Sequence, residues 1–374
     1  MAQQNNILDP QSAQPDKKLR SKKGHEQRVN ASIYTILIVM SVVWLAPFVF
    51  LVLQSFRSYV TEAGGMVNYI VPKQFSWDNY IFLFQGVAFD AKLLVKDAGA
   101  IILTVLTNLA GLAIAVKLLV RKPRNPLEKT KGNLKGALLV VAALLLIDLV
   151  RCVDSTKCDF VRWFINTLTI AAFCAAIQTV MVLSVSYALS RMRFKGRKLL
   201  MNICLALGMF PGFLTMIVLY YLLKLLGLTQ AGAIPGLILI SCASSGMGYY
   251  ISKGFFDTIP KSLDESARID GATRFQVFLK IIMPMAKPIV IYTILMAFMG
   301  PWGDYVFASY VAFGHKASYN VAVGLYRWVN TNDYQGFFTR FCAGGVLVAI
   351  PITLLFMALQ KYYVEGVTGG AVKG

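Results

Sequence analysis

Apolar residues in this chain come in long runs separated by short polar and basic stretches, and the length of those runs sets the fold class. A helix that crosses a bilayer needs about 20 predominantly apolar residues. Eight stretches answer to that: 31–53, 98–120, 135–151, 163–189, 199–224, 232–253, 287–312 and 338–361. The third is the weakest. Its apolar run, Ala137 to Ile147, stops against Asp148 and Arg151, which also suits a re-entrant or interfacial helix. If it does not span, parity removes a partner and six spans remain. The first run is long, lies some thirty positions into the chain and is followed by no A-x-A site, so it is expected to stay as an anchor. The pattern predicts an all-α polytopic membrane protein with about eight transmembrane helices.

Composition agrees with the pattern. Hydrophobic residues make up 57% against 15% charged, and mean hydropathy is +0.60, far from the balance of soluble domains. The net charge of +19 would suit nucleic acid if it were clustered on a soluble face, but it falls between apolar runs, so nucleic-acid binding is a weak reading. With the N-terminus placed inside, more than two thirds of the 37 Lys and Arg residues lie in the tail, 121–135, 191–198, 253–287 and the C-terminus. That bias favours cytoplasmic termini. Two histidines, His25 and His315, and six scattered cysteines offer neither C-x-x-C nor H-E-x-x-H, so no metal site is expected.

The runs divide the chain into a disordered tail (1–30), a first span (31–53), an outer loop (54–97) with interfacial or partly folded character, an inserted helix pair (98–159), a core (160–363) and a C-terminal tail (364–374). Cys152 and Cys158 bracket an outer loop and could pair in an oxidising exterior, unrelated thiols being the alternative. Pro211 and Pro235, each beside glycine, read as packing kinks ahead of gate hinges.

The inner loop 253–287 is structured. Ser262-Leu263-Asp264-Glu265 has the S-x-x-E form of a capping box that would start a helix at Leu263, with Asp264 and Arg268 bracing it at i, i+4. Gly271 is a stop signal, and Thr273-Arg274-Phe275-Gln276 is a second box that opens another helix toward Pro284. Two short helices at an angle make an elbow, and the small residues Ser266, Ala267, Gly271 and Ala272 suit a close-docking partner. The competing reading makes Glu265 a cap and Gly271 a helix end, nothing more.

Glu265-Ser266-Ala267, then Gly271 three residues on, then Ile281-Ile282-Met283-Pro284 nine further on, resembles the EAA loop (E-A-A-x3-G-x9-I-x-L-P) of permease subunits in binding-protein-dependent ABC importers. Asp270, Ala272 and Pro288 also fit. Ser266 and Met283 depart from the pattern, standing for Ala and Leu. Tyr187 to Gly196 is similar to the Y-A-[FL]-[AS]-R-x-[RK]-F-x-G turn of the carbohydrate branch, and Gly366 to Gly374 to the G-L-T-x-G-x-x-K-G ending of maltose-type, MalG-like subunits. The likeness covers about 160–374 plus the first span; the segment 86–159 has no counterpart in it.

The resemblance implies a multi-pass permease of the bacterial plasma membrane, with no catalytic residues. Its coupling helix would seat in a cleft of a dimeric ATPase through Glu265, Ser266, Ala267, Asp270, Gly271 and Ala272. The C-terminal tail, with Gly369, Gly370 and Lys373, would reach along that ATPase. ATP and magnesium would belong to the ATPase, since this chain has no G-x-x-x-x-G-K-[ST] and needs no cofactor of its own. A second, MalF-like permease would share the translocation path, and an extracytoplasmic solute-binding protein would deliver a sugar, by family an oligosaccharide of maltodextrin type. The path residues implied are Trp302, Asp304 and Tyr305, a W-N-[DE]-[FY]-like element with Gly303 in place of Asn. A carboxylate inside a span is costly and usually faces a polar cavity. Otherwise Asp304 would lie near the interface and pair with Arg340 or water. The alternative classes are an ion-coupled carrier with Asp304 as its ion site and a polytopic enzyme, neither of which needs the elbow.

Overall fold

The computed structural model describes residues 15–58, 71–89, 91–95, 98–120, 138, 141, 148, 152–155, 158–243, 245–330 and 334–371. Residues 1–14 of the expected tail and most of the third apolar run lie outside them. The described residues form an α-helical membrane protein. Helix α1 (Pro15–Ser55) contains the first expected span, and its apolar stretch Val29–Ser55 is not buried against the rest of the chain at any point of its most apolar window. A helix apolar on every side and unburied belongs in lipid or against another subunit. Helix α2 (Asp78–Leu83) follows, then strand β1 (Val87–Phe89) and helix α3 (Ala98–Val120). Strand β2 (Val153–Ser155) precedes α4 (Phe160–Arg191), an unbroken helix of 32 residues with a π-helical turn at Cys174–Gln178.

The expected fifth, sixth and seventh spans are not single helices. α5 (Arg197–Gly208) and α6 (Gly212–Leu225) meet at 103°, α7 (Ala233–Ala243) with its 3-10 lead-in and α8 (Gly246–Thr258) at 40°, and α10 (Arg274–Met285) and α11 (Lys287–Gly303) at 84°. Pro211 explains the first break: it cannot donate to the helix and pushes Phe210 out of the helical region. The break is far sharper than the kink expected. Pro235, by contrast, lies in the first turn of α7, where proline is tolerated, and makes no kink. Around α11, Ala286 ends one helix at φ −90° and ψ 16°, and Pro288 opens the next. Helices α9 (Ser262–Ile269), α12 (Val306–Val311), α13 (Val321–Val329) and α14 (Tyr334–Ala371) complete the chain. By length and composition the described helices include three single spans and three bent pairs, with α3 shorter. Counting each bent pair as one span gives up to six among the described residues, which fits the expected six-helix core, while the third apolar run lies mostly outside them.

The loop 54–97 is folded in part, as its aromatics suggested. Phe56, Trp77 and Tyr80 pack with ring centroids 5.0 to 5.4 Å apart, and Arg57 bridges Phe75. Buried Asn79 donates to the carbonyls of Ser55 and Arg57 (2.9 and 2.8 Å) and accepts from the Thr339 hydroxyl (2.9 Å), tying the end of α1 to α14. The inserted segment is closed at its base by a feature absent from an all-α expectation: β1 and β2 pair antiparallel, with Val87 opposite Ser155. The ends of this segment are thereby adjacent, and α3 is the helix described within it. Within it, Asn108 donates to Asp148 at 3.0 Å. Cys152 and Cys158 are both free thiols.

Two apolar clusters organise the core, strung along α4. One gathers Phe160, Trp163 and Ile170 with Leu237, Trp302, Val321 and Val323. Polar ties lock it: Asn166 donates to the carbonyls of Ala317 and Tyr319 (2.8 and 2.9 Å), and the Thr167 hydroxyl accepts from the Val321 amide at 2.7 Å. Gly324 is obligatory here, since a Cβ would stand 2.0 Å from the Trp163 ring. The second cluster, at the other end of α4, joins Tyr187 to Phe256, Ile259, Ala267, Val277, Ile282 and Ala286.

Candidate functional site

The elbow is built by its own backbone. α9 starts one residue earlier than the capping-box reading placed it: Ser262 is the first helical residue, Lys261 is the N-cap, and no side chain caps it. The Lys261 carbonyl accepts from Asp264 and Glu265 (3.0 and 3.1 Å), so the turn that leaves Pro260 nucleates the helix without the serine. At the other end Gly271 adopts φ +83°, the left-handed region that glycine enters without strain, and the Ala272 amide reaches back to the Ala267 carbonyl at 2.9 Å. The second box is present as read. Gln276 donates its amide to the Thr273 hydroxyl (3.3 Å) while its side chain accepts from the Thr273 amide (2.8 Å).

Asp264 does not brace Arg268; it pairs with Arg191 at the end of α4, Nε to Oδ2 3.3 Å. The Arg191 Nη2 also donates to the carbonyls of Phe256 (3.0 Å) and Ile259 (2.7 Å). One guanidinium thus holds the end of α8, the turn that leads out of it and the first turn of α9. Its neighbours in the Y-A-L-S-R turn act on the same region. The Ser190 hydroxyl donates to Asp257 at 2.6 Å, Asp257 also binds Lys253, and Tyr187 packs on Phe278 and Phe256 at 4.7 and 6.1 Å. Burial pushes the Asp264 carboxyl above the usual carboxylate range; Arg191 pulls it down and Glu265 adds to the rise. The native state therefore takes up this proton before the unfolded chain does, so the ionised carboxylate weighs against folding as pH rises through its native pKa.

The expected contact residues divide by face. Glu265, Ser266, Asp270 and Gly271 are exposed, whereas Ala267 is 8% exposed and packs inward with partly buried Ala272. Those two alanines support the elbow from beneath. Two residues missed in the sequence stand out on its tip: Ile269 is 86% exposed and Phe275 69%. They flank Gly271, outside any apolar run, and a large apolar residue at a polar helix end was the signal that marked them.

The broken end of α11 is a second candidate. Asp304 follows the last helical residue, Gly303, and its Oδ1 accepts from the Phe307 amide at 3.2 Å, capping α12. Asn320 donates to the Asp304 carbonyl (2.6 Å) and accepts from the Val323 amide (2.9 Å), so one side chain joins this break to the start of α13. Asp304, Asn320, Gln178 and Ser241 contribute the polar lining of a cavity of about 220 Å³, with Met296 and Pro301 on its apolar side. Gln178 closes the π-helical turn of α4, a feature common at functional sites. Trp302 is not part of that lining; it is buried against Phe164 and Phe298, ring centroids 5.2 and 5.9 Å. Tyr305 packs against Tyr326, ring centroids 4.1 Å apart and planes tilted by 40°. Arg340 lies over the Phe82 ring, 3.6 Å from its centroid, and not on Asp304. At the C-terminus α14 carries Gly369 and Gly370 as helix, and Lys373 lies outside the described residues. Among the described residues no cluster of His, Cys, Asp or Glu could hold a metal ion.

Residues 180–369 match the family described as binding-protein-dependent transport system inner membrane component. The chain is 39% identical over 217 residues to the galactooligosaccharides transport system permease protein GanQ of Bacillus subtilis, covering 58% of this chain and 75% of that one. It is 37% identical over 229 residues to the maltodextrin transport system permease protein MalD of Streptococcus pneumoniae, covering 59% and 77%. A crystal structure of a bacterial ABC transporter involved in the import of the acidic polysaccharide alginate superposes with a TM-score of 0.58 over 90% of this chain and 98% of that chain, at 17% identity. That likeness speaks for the fold.

The Arg191 clamp makes a prediction about stability. Arg191→Met, which keeps the volume and leaves Asp264 uncompensated, should destabilise the protein by about 3–5 kcal/mol and open residues 253–287 to protease. Asp264→Asn should cost far less, because Arg191 keeps its two carbonyl acceptors and the carboxylate is already disfavoured. Thermal unfolding in detergent with limited proteolysis checks both; equal losses in the two variants would assign the clamp to the ion pair instead of the carbonyls.

Proposed function

The chain belongs to the family of inner membrane components of binding-protein-dependent transport systems, and from that premise we propose that it is a permease subunit of an ATP-driven sugar importer, working beside a second permease. The relatives named for galactooligosaccharides and maltodextrin support an oligosaccharide of that kind as cargo. A solute-binding protein delivers the sugar, and a separate dimeric ATPase, using ATP and magnesium, drives the cycle.

The observation that carries this reading is the elbow: a helix–glycine–helix unit that stands outside the membrane runs, is clamped to the ends of two spans, α4 and α8, and exposes Ile269 and Phe275 at its tip. Exposed apolar side chains there are costly unless a partner covers them, and Glu265 and Asp270 beside them supply charges for a cleft. Because Arg191 and the Tyr187 cluster fix the elbow to α4 and α8, a push on its tip moves spans. Buried Ala267 transmits the load; it is not the contact itself. The tail, with Gly369, Gly370 and Lys373, adds a second ATPase contact. An ion-coupled carrier is less well supported: the Asp304 carboxylate is engaged in capping α12, and such a carrier has no use for the elbow.

Gly271→Asp is the direct test. A Cβ at Gly271 meets nothing within 4 Å in this chain, so the cost within the subunit is backbone strain of about 1 kcal/mol and the protein should insert at near-normal levels. ATPase co-purification and ATP-driven uptake should fall at least tenfold, and Glu265→Ala should weaken both to a lesser degree. Normal ATPase association and normal uptake per molecule in both variants would remove the coupling assignment.

The cavity beside Asp304 is assigned to the sugar path. Asp304→Asn, which preserves the cap and the volume, should lower uptake several-fold with complex assembly intact. Trp302→Ala should act through stability, at about 3–5 kcal/mol for a buried tryptophan. Unchanged uptake in Asp304→Asn would leave the carboxylate a helix cap alone.

Both termini and the turn 191–198 are placed in the cytoplasm, on the strength of the basic-residue bias. A cysteine introduced as Lys195→Cys should resist impermeant thiol reagents in intact cells and react in inverted vesicles; labelling from outside would reverse the orientation.

A further inference from the structure

Between the turn that joins α4 to α5 and the elbow lies a cavity of about 430 Å³. Six cationic side chains line it: Arg191, Arg193 and Arg197 from the turn, Lys261 and Arg268 from the approach and body of α9, and Arg274 from the start of α10. Only Asp264 and Glu265 oppose them, and Asp264 is already held by Arg191. The Arg191 side chain is 5% exposed, yet its Nη1 has no hydrogen-bond partner. A buried guanidinium donor without an acceptor is a rarity that calls for an explanation, and here it lines a space rich in positive charge.

We propose that this cavity is a binding site for a phosphoryl group. Converging guanidiniums favour phosphate, whose oxygens accept paired N–H donors in a geometry that ammonium groups or a monatomic anion do not match. The cavity has room for an anion larger than inorganic phosphate. Its cations come from three separate segments, so an occupant draws the turn, α9 and α10 together and stiffens the elbow. The group comes either from a soluble phosphorylated compound or from the headgroup of an anionic lipid, since α4 and α5 are apolar helices that end at the cavity. Binding stands on this geometry alone; only its effect on coupling rests on the function proposed above.

Inorganic pyrophosphate is the probe, titrated calorimetrically into the full chain held in phosphatidylcholine nanodiscs without the ATPase, whose nucleotide sites would also bind it. Saturable binding is expected, at least tenfold weaker in the double variant R197Q/R274Q, retained in R197K/R274K and unchanged in K280Q, a basic position on α10 that does not line the cavity. Adding phosphatidylglycerol to the discs assigns the source: competition with pyrophosphate identifies the headgroup, and no change identifies the soluble compound. Absence of saturable binding in phosphatidylcholine discs, or equal binding in R197Q/R274Q, would overturn the proposal. Pyrophosphate binding that persists in Gly271→Asp while uptake is lost would show the site and the coupling elbow to be separable.

Discussion

Arg191 is the constraint on which the architecture of the elbow depends. A single buried guanidinium accepts the burden of three segments that have no continuous secondary structure between them: the end of α8, the turn after it and the first turn of α9. Carbonyls at a helix C-terminus carry partial negative charge, so the cation is well placed even before Asp264 is counted. Without Arg191, α9 would lose its tie to α4 through Asp264, and a helix of eight residues is well below the length at which a helix is stable alone. The elbow is rigid because α4, a span of 32 residues, supplies its anchor.

The same helix α4 supplies rigidity at its other end, by different means. There the ties are neutral: Asn166, Thr167 and Asn320 satisfy backbone groups at the irregular junctions around α13, and Gly324 lets Trp163 lie against the helix. Backbone polar groups freed by breaks inside a membrane must find partners within the protein, and these side chains are those partners. Between the two clusters stand the π-helical turn and the cavity with Asp304. α4 is thus a strut that joins the elbow to the cavity beside Asp304, with its one irregular turn next to that cavity.

The inserted segment shows how such a scaffold tolerates addition. Because β1 and β2 hold its ends in register, the core meets the segment between them as it would meet a loop with adjacent ends, and the closure entropy falls on that segment. The relatives' alignments, at 57–59% of this chain, leave room for an addition of that kind.

Much of this was legible in the residues. Apolar run length determined the membrane class and the helical fold, since only a helix satisfies every backbone group of a span locally. Gly271 and the Thr273–Gln276 box determined the elbow, because a left-handed turn and a reciprocal cap are local geometries encoded in a few adjacent side chains. Pattern could not place what depends on distance in sequence. Arg191 and Asp264 are 73 positions apart, and the i, i+4 rule assigned Asp264 to the wrong cation, because a buried guanidinium with carbonyl neighbours outcompetes an exposed one. Ser262 looked like a cap and was not, since the turn at Pro260 had already begun the helix. Trp302, Asp304 and Tyr305, close together in the chain, face three environments: core, cavity and the ring of Tyr326. Ala267 faces inward while Ile269, two residues on, stands in the open. Local chemistry decided where helices start, stop and turn; only the packing of distant segments decided which face of each one the protein leaves for a partner.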